Sequence, residues 1–257
     1  MEDDMTEASR TAQSQRTGSP IVELRQYTLL PGKRDGLIDI FERDFIEEQE
    51  ALGMEVIGHF RDLDDPDRFV WLRGFPDMPR RATATVAFYA GAVWAKNRDA
   101  VNATLVDTDD VLLLHPADSA SGYPTDGDRP PVGTTDVPAC LMVATICQLD
   151  PAMEDDFPAF FARAMAPALT EAGATILASY ATEHSPNNYP RLPIREGEHV
   201  FVWFARFADD AAYERHRATL AQSLRWSDDI AAALAQRLDG APEVRRLVPT
   251  ARSRMCC

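Results

Sequence analysis

The sequence is short of basic charge. It sets 26 lysines and arginines against 41 acidic residues, for a formal net charge of −15. Neutralising a phosphate backbone takes a basic patch, so this balance argues against nucleic-acid binding. It also disfavours docking on an anionic membrane surface. Long apolar runs are missing as well. No stretch approaches the roughly 20 residues that span a bilayer, and residues 1–20 lack the apolar centre of a secretion signal. A cytoplasmic protein with no nucleic-acid and no membrane partner is the expectation. Cysteine is scarce, with four in 257 residues. Cys140 and Cys147 fall on one expected strand with their side chains on opposite faces, so they cannot share a ligand sphere. Reduced, buried thiols and no metal site are expected, and the terminal Cys256-Cys257 pair has no readable role. There is no glycine-rich phosphate loop, no Gly-x-Ser-x-Gly elbow and no Cys-x-x-Cys.

What is present is a cycle used twice. Apolar residues make up 45% of the chain, enough for real cores. Residues 1–20 are polar without periodicity and read as a disordered tail. Ile21 to Leu29 is rich in strand formers, and Pro31-Gly32 ends it. Leu37, Ile40, Phe41, Phe45 and Ile46 then make one helical stripe that stops at Gly53. Strands over 54–63 and 69–75 form a hairpin across Asp64-Asp65-Pro66-Asp67. Two helical pieces, 77–89 and 91–103, and a fourth strand over 105–115 complete the first cycle.

Residues 117–138, with Pro124, Pro130, Pro131 and Pro138, have a linker composition. The cycle then restarts at 139 and runs to 250, leaving 251–257 as a tail. Pro31 and Pro151 are 120 apart, as are Gly53 and Gly173. Beyond an insertion at Ser185 to Gly197 the offset becomes 132, as in Trp71 and Trp203 or Trp94 and Trp226. A duplication is the reading. Each copy follows β-α-β-β-α-β order, so the fold class is α+β: two tandem ferredoxin-like repeats, each an antiparallel sheet with helices on one face. Packing one sheet against the other encloses a barrel.

The opening VELRQYTLLPGK (22–33) resembles the signature of the NIPSNAP family, in the dimeric α+β barrel superfamily. The likeness continues in AFYAGAVWAKNRDAVNATLVDTDDVLLLHP (87–116), and SPNNYPRLPIREGEHVFVWFARF (185–207) is similar to tandem bacterial members. The resemblance implies the barrel and domains at 21–116 and 139–250. It implies little about reaction. Relatives with this barrel include cofactor-independent monooxygenases and haem-handling enzymes, but no residue here can be assigned as a haem ligand and no cofactor is expected. A small organic ligand inside the barrel and a homo-oligomer are the expected partners.

Several residues are candidates for chemistry. Alternation puts Glu23, Arg25 and Tyr27 on one face of the first strand, and Trp71 and Arg73 are placed beside them. Facing inward, the five would line a polar, aromatic cavity. A guanidinium there could hold a carboxylate or enolate, with Arg25 or Arg73 stabilising the anion and Tyr27 or His59 moving a proton. The alternative is an internal ion pair of Glu23 with Arg25 or Arg73. In the second copy Val143, Thr145, Cys147 and Ala205 stand in for Glu23, Arg25, Tyr27 and Arg73, so one half would function and the other support it. His59 has no partner at metal-ligand spacing. Trp94, Arg98 and Asn102 could reach a pocket mouth, or Arg98 could pair with Asp107 while Asn102 caps its helix. The inserted loop, with His184, Asn187, Asn188, Tyr189 and Arg191, suits either a lid or a dimer arm.

Overall fold

The computed structural model describes residues 18–125 and 127–255. The first half runs β1 (Ile21–Leu29), α1 (34–51), β2 (Glu55–Asp62), β3 (Arg68–Phe75), α2 (Met78–Ala90), α3 (Ala92–Asn102), β4 (Leu105–Asp107) and β5 (Val111–Pro116). The second runs β6 (Leu141–Gln148), α4 (157–171), β7 (Thr175–Thr182), β8 (Val200–Phe207), α5 (Asp210–Gln222), α6 (225–235) and β9 (Glu243–Pro249). The expected fourth strand over 105–115 is two strands. The acidic run between them folds on itself, with Asp109 N donating to Asp107 Oδ1, a side-chain turn that breaks a ladder.

The two halves share irregularities as well as element order. A bulge interrupts β2 between Val56 and Gly58 and β7 between Ile176 and Ala178. A π-helical turn occupies Phe41–Phe45 in α1 and Phe161–Met165 in α4. Gly53 and Gly173 end these helices at φ of 86° and 103°, a conformation that costs other residues a steric penalty.

Antiparallel pairing closes eight strands into a ring, in the order β1-β3-β2-β9-β6-β8-β7-β5 and back to β1. One chain closes the barrel. Its seams are Phe60↔Pro249 to Asp62↔Leu247 on one side and Leu114↔Thr182 to Pro116↔Tyr180 on the other. Alternation decides what each face meets. Val22, Leu24, Val70 and Leu72 point into the barrel, where they pack with Met142, Val202, Phe204 and Tyr180 into one apolar cluster. Glu23, Arg25, Tyr27, Trp71 and Arg73 point the other way, under the helices of the first half. The expectation that these five face the barrel interior, with a ligand there, is therefore corrected. The interior is a filled apolar core.

Residues 118–139 form no helix or strand among those described, yet they are anchored. Arg129 donates to the carbonyls of Arg252 and Val56 and pairs with Glu50. The segment after β9, expected as a tail, packs along β2: Thr250 N donates to His59 O and Met255 N to Ile57 O. Cys147 is a free, buried thiol, as expected. Cys140 is disulfide-bonded, against expectation. Most of the expected N-terminal tail (1–17) and the Cys256-Cys257 pair also lie outside them. No helix among the described residues is long and apolar enough to cross a membrane.

Candidate functional site

Strand register assembles a buried ionic cluster. Glu23 lies opposite Arg73, and Arg25 opposite Trp71. Helix α2 adds a residue that sequence reasoning missed. Its buried stripe is Arg81, Ala84, Thr85 and Phe88, and that spacing could have placed Arg81 inward. Glu23 accepts from Arg25 at 2.7 Å, Arg73 at 2.8 Å and Arg81 at 2.7 Å, and all four side chains are fully buried. Burial would push the Glu23 carboxyl up, but the three guanidiniums beside it hold it far below the usual carboxylate range. Arg73 also donates to Gln49 Oε1 at 3.3 Å, and Arg25 Nε to Tyr27 Oη at 2.9 Å. Trp71 sits between two guanidiniums, 5.6 Å from Arg25 and 5.3 Å from Arg73. Three arginines against one carboxylate leave two positive charges in excess. The Nη2 groups of Arg25, Arg73 and Arg81 have no hydrogen-bond partner.

On this cluster rests a cavity of about 860 Å³ between the sheet and the helices. Tyr27, Trp71 and Arg73 form its floor. Phe41, Phe45, Phe88, Tyr89 and Trp94 line its helical side, and Tyr189, Arg191 and Leu192 come from the inserted loop. Burial pushes the Tyr89 phenol up to about 12, so it stays protonated and can donate. Tyr27 Oη accepts from Arg25, which leaves its hydrogen for the cavity. Trp71 Nε1, a donor only, is unpartnered. The floor thus sets phenol groups over buried positive charge. Exposed Arg191 adds positive charge at the rim.

The remaining candidates fall into place around this cavity. Trp94, Arg98 and Asn102 line it. Arg98 pairs with Asp99 at 3.2 Å, not with Asp107. Glu23 and Arg25 stand behind the wall, outside the lining. His59 is not in the lining either, so its role as a proton carrier is corrected. Its Nδ1 contacts Thr250 Oγ1, and burial together with Arg129 and Arg252 pushes its pKa well below 6.5. The inserted loop folds onto its own chain, over the cavity. Asn187 and Asn188 accept from Arg81 at 3.2 and 2.6 Å, and Tyr189 stacks on Tyr89 at 6.0 Å and 11°. His184 stays at the loop's root, 2.9 Å from Glu154.

The second half keeps the register and loses the chemistry. Val143↔Ala205 and Thr145↔Trp203 replace Glu23↔Arg73 and Arg25↔Trp71. Aromatic rings fill the space under its helices, with Phe161 5.2 Å from Trp203 and 4.9 Å from Phe201.

The fold resembles several solved structures along nearly its whole length. A presumed monooxygenase from Lactobacillus acidophilus NCFM is 16% identical at a TM-score of 0.56, covering 92% of this chain and 97% of its own. A presumed monooxygenase from Fusobacterium nucleatum is 11% identical at 0.55, covering 91% and 93%. An anthrone oxidase-like protein is 13% identical at 0.54, covering 92% and 95%. At such identities the likeness is one of fold, an α+β barrel. No curated protein sequence matches the chain. The NIPSNAP family model matches residues 22–120. That matched stretch, which is similar to a NIPSNAP domain, holds the ionic cluster and most of the cavity's lining.

Proposed function

We propose that the cavity of the first half binds one planar organic anion, aromatic or enolisable, under the inserted loop. The observation that carries this reading is the make-up of the floor. Tyr27, Trp71, Tyr89 and Arg73 line it, over a buried cluster with two positive charges in excess. An anion offsets that excess charge, which a neutral or cationic ligand would leave uncompensated. The aromatic walls favour a flat hydrocarbon body by stacking and burial. Calorimetric titration with anthracene carboxylate and its neutral carboxamide tests the reading. The carboxylate is expected to bind once per chain and at least about tenfold tighter, equivalent to ~1.4 kcal/mol, with the preference lost in Arg73→Gln. Equal binding of the two, or a preference that survives in the variant, would sink it.

A second reading adds turnover. It is favoured by the whole-length likeness to presumed monooxygenases and to an anthrone oxidase-like protein. Donors that stabilise an enolate keep an electron-rich carbon available to dioxygen, without a cofactor. Oxygen uptake with an anthrone as substrate, absent in Arg73→Gln, supports it. No uptake above the uncatalysed rate confines the site to binding.

A further inference from the structure

Away from the cavity, one cluster joins groups far apart in sequence. Glu154 lies in the turn before α4, His184 just after β7, and His199 just before β8. Glu154 Oε1 is 2.9 Å from His184 Nε2, and its Oε2 is 2.5 Å from His199 Nδ1. One ligand atom from each residue lies within 4.8 Å of the other two, and the imidazole centroids are 5.3 Å apart. The side chain of His184 is 54% exposed, that of His199 30% and that of Glu154 16%, so solvent reaches the cluster.

We propose that Glu154, His184 and His199 form a site for one divalent transition-metal ion of the zinc class, and that the ion clamps the neck of the loop covering the cavity. The donor set is two imidazoles and a carboxylate. Such a set suits zinc, nickel or copper, whereas calcium and magnesium take oxygen ligands. Zinc bonds of ~2.1 Å in a tetrahedral site put ligand atoms about 3.4 Å apart. To admit the ion, the carboxylate contacts of 2.9 and 2.5 Å lengthen by less than about 1 Å, the imidazole nitrogens draw to the same spacing from within 4.8 Å, and water takes the fourth position. The placement gives the ion its effect. His184 and His199 are the two ends of the loop, and its far part rests on Arg81 and Tyr89. The neck is already held on both sides, by Glu183 N donating to Leu113 O and Leu149 N to His199 O. Joining both ends to Glu154 through one ion removes the freedom the loop needs to lift.

The test uses the full chain, freed of metal by a chelator and titrated with zinc against a chromophoric competitor. Wild type is expected to bind one more equivalent than His184→Ala/His199→Ala, and Glu154→Gln to bind at least about tenfold more weakly. Equal stoichiometry and affinity in wild type and the double variant would overturn the site. Zinc is also expected to slow amide hydrogen exchange across 185–197 in wild type alone. Exchange that does not respond to bound zinc would overturn the clamp. Unfolding of the metal-free proteins checks that the double variant is folded; if it is not, Glu154→Gln alone decides. No organic ligand is present in either readout, so failure here is separate from failure of the anion reading.

Discussion

Glu23 is the residue on which the first half turns. It is the one carboxylate paired to three buried guanidiniums among the described residues. Removing it leaves uncompensated buried charges, which costs about 3–5 kcal/mol. We expect Glu23→Gln to lose that much in urea unfolding. Its pH dependence has a definite sign. The folded pKa lies far below the ordinary 4.5, so the stabilisation is complete above 4.5 and is lost as the pH falls below it. His59 acts earlier. Its pKa is depressed from 6.5, so the folded protein resists a proton that the unfolded chain accepts. Stability should fall as the pH drops below 6.5, and His59→Gln should remove part of that slope in urea midpoints measured across pH. Alternation in the sequence placed Glu23, Arg25 and Tyr27 together. It could not say which face of the sheet met the helices, because both faces of β1 are buried. Arg81 was legible by helical spacing, but an arginine on an apolar stripe is easily taken for a surface residue.

At the scale of elements, the insertion between β7 and β8 separates the halves. Their strands share a register, yet only the second half carries a loop that reaches across to the first. Replacing 185–197 with a short glycine-serine turn should speed release of a bound aromatic carboxylate in stopped-flow fluorescence. The oligomeric state by light scattering should stay the same, since the loop's contacts are made within the chain. The two cores should also respond differently to truncation. Trp203 is packed against Phe161, so Trp203→Ala should cost about 3–5 kcal/mol. Trp71 already borders open space, so Trp71→Ala should cost less in the same unfolding assay and weaken aromatic binding more. Helix and strand positions were legible because their apolar periods are strong. The loop's destination was not, because contacts made by asparagine and tyrosine with residues 100 or more positions away leave no local pattern.

For the whole molecule, the order of elements in each half dictated two sheets that must cover one another. The structure meets that demand within one chain, through the β2–β9 and β5–β7 seams. The interior thereby becomes core, and the cavity of about 860 Å³ lies under the helices of the first half. The most direct measurement is a crystal structure of the protein soaked with a bromonaphthoate, with bromine located by its anomalous signal. The account predicts one bromine site per chain, between the sheet and the helices of the first half, with the carboxylate directed at Arg73. Bromine inside the barrel, or under the helices of the second half in preference to the first, would contradict it.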